Sequence, residues 1–87
     1  MTKGKTETGF EFELSDEAVD NYELLEILTD IDKGQGKKIV DAIDMLLGEE
    51  QRNRLKEHVR EKNGRVSTKA MWKEFVSILG EANGKKS

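Results

Sequence analysis

Near its start the chain alternates apolar and acidic residues, then changes period. Phe10, Phe12 and Leu14 are separated by Glu11 and Glu13, so a strand over residues 10–14 would carry three large apolar side chains on one face. From Leu24 the spacing becomes helical. Leu24, Ile27, Leu28 and Ile31 recur at i, i+3, i+4 and i+7 and predict a helix over about 18–32. Ser15, followed by Asp16 and Glu17, suits a helix start, and Asp20 with Glu23 has the spacing of a capping box. Upstream, Lys5, Thr6 and Glu7 are placed to pair with the strand across a Thr8–Gly9 turn, because glycine supplies the positive φ of tight hairpins. Residues 1–8 are otherwise expected to be flexible.

Three further helices follow. Ile39, Val40, Ile43, Leu46 and Leu47 mark one side of a helix over about 37–47, with Lys37, Asp41 and Asp44 opposite. Gly48 is a stop, and Glu49–Glu50 opens a helix over 49–62 whose acidic start and basic end both suit the helix dipole. Only Leu55 and Val59 are clear apolar positions there, so it lies at an edge. Asn63–Gly64 is a turn, and Ser67 caps a last helix over 68–82. Met71, Trp72, Phe75, Val76, Ile78, Leu79 and Ala82 cover an arc of that helix wider than one neighbour needs. The arc either fills the centre or leaves apolar surface for a partner, with Met71, Trp72, Phe75, Val76 and Leu79 as the candidate partner-binding residues. Residues 83–87 read as a flexible polar tail. The fold class is mainly α (α+β): one domain over 1–87, an N-terminal strand or hairpin followed by about four short helices.

Composition sharpens this picture. With 87 residues, 34% hydrophobic and 38% charged, the chain supports only a modest core, so a partner or a homo-oligomer is expected to complete the burial. The net charge of -3, with both signs interspersed, argues against a phosphate-binding surface. Cysteine is absent, so no disulfide, thiolate metal site or cysteine nucleophile is available. No apolar run approaches a membrane span and the polar start lacks a signal-peptide core, which points to the cytoplasm.

Candidate chemistry is sparse. Asp30-Ile-Asp-Lys-Gly-Gln-Gly echoes a calcium loop, but with Asp30 first the sixth position is Gln35 and the twelfth Asp41, where glycine and glutamate are required. Residues from Val59 fail likewise, with Ala70 at the twelfth position. Gly34-Gln-Gly-Lys-Lys lacks the spacing and preceding strand of a phosphate loop. His58 is the only histidine, on a charged helix, with no serine or cysteine set beside it in sequence. No enzyme, cofactor or metal site is expected. The proportions of 49–62 and 68–82 allow a small regulatory or nucleic-acid-binding protein, but the last helix is mainly apolar where a recognition helix is polar or basic.

Several stretches together resemble the small tail assembly chaperones of long-tailed phages and prophages of Gram-positive bacteria. They are Gly9-Phe-Glu-Phe-Glu-Leu, Asp20-Asn-Tyr-Glu-Leu-Leu-Glu with Ile31-Asp32, Leu46-Leu-Gly-Glu-Glu-Gln, Leu55-Lys-Glu-His and Asn63-Gly-Arg-Val-Ser. The resemblance spans nearly the whole chain. It implies a mostly helical, self-associating, non-enzymatic protein of the bacterial host cytoplasm. Its partners would be the tape measure protein, kept soluble before the tail tube forms around it, and the tail tube protein, whose subunits it helps to recruit. The arc of the last helix and the hairpin edge are the surfaces such a binder would use.

Overall fold

In the computed structural model, which describes residues 2–84, the alternating stretch is a strand with its partner further upstream than expected. β1 (Thr2–Lys5) runs antiparallel to β2 (Glu11–Leu14), pairing Thr2 with Leu14, Lys3 with Glu13, Gly4 with Phe12 and Lys5 with Glu11. The expected pairing of Lys5–Glu7 across Thr8–Gly9 is therefore corrected, and Thr2, Lys3 and Gly4, expected to be flexible, join Lys5 in a strand. The reason is local. Thr6 closes a longer loop: its N–H donates to the Phe10 carbonyl at 2.9 Å and its Oγ1 accepts from the Phe10 N–H at 3.1 Å. Gly9, at φ 95°, turns the chain inside that loop. Gly4 has a separate task, because a Cβ there would stand 2.7 Å from Cζ of the buried Phe12 ring that lies over β1.

The predicted helix over 18–32 is divided. α1 (Asp16–Val19) is a single turn capped by Ser15, whose Oγ accepts from the Ala18 N–H at 3.0 Å. Asp20 then leaves the helical region at φ -99°, ψ 68°. α2 (Tyr22–Asp32) starts afresh with Asn21, whose Oδ1 accepts from the N–H groups of Glu23 and Leu24 at 2.9 and 3.4 Å. Asn21 thus takes the capping role expected of Asp20, because it directly precedes the first helical residue.

After a 3₁₀ turn at Gly36–Lys38 comes α3 (Ile39–Val59), which joins the helices expected over 37–47 and 49–62. Gly48, at φ 81° and ψ 166°, is non-helical and breaks it into two arms at the position of the expected stop. Among the described residues there are three longer helices, one of them in two arms, and the single turn α1, close to the about four short helices expected. The second arm ends at Val59 because Arg60 is extended and Glu61 and Arg65 close a turn, with the Glu61 N–H donating to the Arg65 carbonyl at 2.8 Å. α4 (Thr68–Gly84) is capped by Ser67 as its sequence suggests and runs past the expected end at 82. The rest of the predicted tail, 85–87, lies outside the described residues.

β1 and α4 pack together, as do β2 and α3, so the hairpin's apolar face is closed by helices. Phe10, Phe12 and Leu14 are buried, and Leu55, Phe75 and Ile78 are fully enclosed with them. α2 adds Leu24, and the first arm of α3 adds Ala42, Ile43, Leu46 and Leu47. Val40, placed by its spacing on that buried side, instead points outward with 62% of its surface exposed. The free edge of β2 is partly closed: the Gln51 side-chain amide accepts from the Glu13 N–H at 2.8 Å and donates to its carbonyl at 2.7 Å.

The break at Gly48 is directly testable by urea denaturation. Its dihedral angles are open almost only to glycine, so Gly48→Ala is expected to destabilise the fold by about 1–3 kcal/mol. Gly80 is helical with open space around it, and Gly80→Ala is expected to stabilise by about 0.5–1 kcal/mol. Equal midpoints for the two variants would contradict a broken α3.

Candidate interaction surface

The five candidate residues of the last helix fall into two groups. Phe75 is fully enclosed and Met71 is buried, both within the core cluster. Their place in the core leaves no surface for a partner. Trp72 and Leu79 are half-buried and Val76 is 47% exposed. The Trp72 ring leans on Phe75 with centroids 5.4 Å apart, so it is anchored from below while its outer side lines an open hollow of about 650 Å³ shared with Val76. Trp72 is therefore both a core wall and a surface residue, and the helix-four candidates narrow to Trp72, Val76 and Leu79.

A second apolar surface went unmarked in the sequence. Tyr22 and Leu25, on the outer side of α2, are 73% and 57% exposed, and Val19 of α1 is exposed beside them. They border a groove of about 330 Å³ between α2 and the end of α4, with Leu28, Leu79 and Ala82 in its walls. Its rim is acidic. Nine carboxylates and no lysine or arginine stand between Glu11 and Asp32, whereas Arg52 to Lys73 holds eight basic residues and two carboxylates, Glu57 and Glu61. The charges are thus segregated along the chain, which corrects the impression of interspersed signs. Part of the basic segment is neutralised internally: Arg52 pairs with Asp44 at 2.9 Å, Arg60 with Glu57 at 2.6 Å and Arg65 with Glu61 at 3.4 Å. The hydrogen bond from Arg60 holds the Glu57 carboxyl below the usual glutamate value. That contribution to folding is present above the ordinary glutamate range and is lost as pH falls through the lowered value.

The fold also brings together three polar groups far apart in sequence. Thr8 Oγ1 donates to Glu74 Oε2 at 2.7 Å and lies 2.9 Å from His58 Nε2. Since the hydroxyl proton goes to the carboxylate, the histidine nitrogen is the donor in the second bond. A nucleophilic threonine needs the opposite order, with the imidazole accepting its proton. What the arrangement does is pin the hairpin loop to α3 and α4 around Glu74, which is only 4% exposed. Sequence spacing offered no route to this cluster.

The other motifs resolve into local structure. Lys38, one of the lysines of the glycine-rich turn, donates to Asp30 Oδ2 at 2.8 Å, and that bond raises its ammonium above the usual lysine value. The same contact occupies the first residue of the calcium-loop echo. Among the described residues no group of three or more His, Asp or Glu side chains is placed to hold a metal ion, and no helix is long and apolar enough to cross a membrane. Compared with protein families, curated proteins and solved structures, the chain matches none.

Removing the donor to a buried carboxylate has a stated cost. Thr8→Val is expected to destabilise the fold by about 1–3 kcal/mol in urea denaturation, and the double variant Thr8→Val/Glu74→Leu by distinctly less, because both polar partners are then gone. Additive losses in the double variant would mean that the two side chains do not interact.

Proposed function

We propose that this chain is a tail assembly chaperone of a long-tailed phage or prophage, a non-enzymatic protein of the bacterial host cytoplasm. It keeps the tape measure protein soluble and helps to recruit tail tube subunits. The resemblance of stretches from Gly9 to Ser67 supports the family, and one structural observation carries the binding role. A chain with a closed core still exposes apolar side chains on two helices, Val76 with part of Trp72 on α4 and Tyr22 with Leu25 on α2. Such helix faces suit an amphipathic helical segment. On α4 the contacts offered to it are Trp72, Val76 and Leu79, at i, i+4 and i+7. The surrounding charge keeps the complex soluble.

One observation favours a rival reading, nucleic-acid binding through the last two helices: the concentration of basic residues between Arg52 and Lys73. Three of those arginines are already in ion pairs, and the apolar outer side of α4 does not suit base-edge contacts.

Co-expression with the tape measure protein of the same phage or prophage separates the two. The wild-type chain is expected to raise the soluble yield of that partner and to co-purify with it. Val76→Asp, at an exposed position, is expected to lose both effects while keeping wild-type circular dichroism. Phe75→Asp is not informative, since it places a charge in the core. Absence of any complex, together with duplex DNA binding that weakens steeply with salt, would replace the chaperone reading by the rival.

A further inference from the structure

The turn between α3 and α4 holds an asparagine followed by glycine, Asn63–Gly64. In that pair the main-chain nitrogen of the second residue can attack the side-chain amide of the first, because glycine has no side chain to shield it. Both residues are exposed, and Gly64 stands at φ 90°. The fold surrounds them with donors. The Arg65 N–H donates to Asn63 Oδ1 at 2.9 Å, and Arg60 Nη1 donates to the Gly64 carbonyl at 2.7 Å. The carboxylates of the turn, Glu57 and Glu61, are held by Arg60 and Arg65. A second pair, Asn83–Gly84, ends α4.

We propose that Asn63 is a self-modification site, converted to aspartate and isoaspartate by its own neighbours. The Gly64 nitrogen attacks Asn63 Cγ, and the bond from Cγ to Nδ2 breaks. The Gly64 N–H proton passes through water to the leaving nitrogen, which departs as ammonia, and a five-membered succinimide remains. Water then opens the ring at either carbonyl. The two donors assist the two reacting groups. The Arg65 N–H polarises the Cγ carbonyl and stands where the negative oxygen of the tetrahedral intermediate develops. The Arg60 guanidinium on the Gly64 carbonyl favours loss of the Gly64 N–H proton, since the resulting negative charge lies close to it. One contact opposes the step: the Gly64 N–H donates to the Glu61 carbonyl at 2.8 Å. That bond belongs to an exposed turn, where local opening costs little, so it slows the attack without blocking it. The two products differ in effect. Aspartate keeps the acceptor used by the Arg65 N–H, whereas isoaspartate routes the main chain through that carboxyl carbon and loses it.

The inference concerns the isolated chain and stands whether or not the chaperone reading does. Its test is incubation of the purified wild-type chain and of Arg60→Gln in mildly alkaline buffer, each folded and in concentrated urea. Arg60 is exposed, so the variant is expected to keep wild-type circular dichroism. Cleavage after glutamate gives peptides 62–74 and 82–87, which separate Asn63 from Asn83 in the mass spectrometer. In the folded wild type, peptide 62–74 is expected to gain the mass of amide-to-acid exchange and to become a substrate for isoaspartyl methyltransferase. Folded Arg60→Gln is expected to convert there several-fold more slowly, and the two chains to convert at the same rate in urea, where the contact is gone. Asn63→Asp is expected to keep the wild-type urea midpoint, and the isoaspartate fraction to unfold earlier. No conversion at Asn63 in the folded wild type, equal rates for the two folded chains, or a difference that persists in urea would each overturn the proposal.

Discussion

The burial of one face of a two-stranded hairpin governs the rest of this fold. Two strands alone are at best marginally stable in water, and here Phe10, Phe12 and Leu14 all project from one side. They are held only because α3 and α4 close over them with Leu55, Phe75 and Ile78. Gly4 lets the Phe12 ring lie flush on β1, and the bond from Thr8 to Glu74 ties the hairpin loop to α4. The broad apolar arc of α4 follows from this demand: its inner part, Met71, Phe75 and Ile78, serves the hairpin.

Once that demand is met, the apolar residues left over are informative. Val76, Tyr22 and Leu25 contribute nothing to the core, and each sits beside charge rather than isolated on a neutral surface. A small domain with few hydrophobic residues that still exposes several on two helices has them available for contact with other chains. The acidic and basic segments lie apart along the chain, and the modest overall net charge of -3 conceals that segregation.

Much of the architecture was legible because it is written in short-range periodicity. The period of two at Phe10–Leu14, the Ser67 cap and the break at Gly48 are each visible within a few residues. Misreadings occurred where a distant contact decided the outcome. The hairpin register depends on Thr6 and Phe10 closing a loop under the helices, and Asn21 took the cap of α2 once α1 had ended at Val19. Partition of the α4 arc into core and surface needs the position of the hairpin, which no local spacing contains. The Thr8–His58–Glu74 cluster joins positions up to 66 residues apart and has no local signal at all. The acidic run from Glu11 to Asp32 was present in the sequence and is found by counting charge by segment rather than over the whole chain.

The most direct measurement of the binding role places a photo-reactive phenylalanine analogue in turn at Val76, on the outer side of α4, and at Lys5, on the outer face of the hairpin. Each chain is produced together with the tape measure protein, and the cells are irradiated before lysis. Capture of the tape measure protein from position 76 and not from position 5 is the expected result. A soluble, co-purifying tape measure protein that is captured from position 5 and never from position 76 would contradict a chaperone surface on α4.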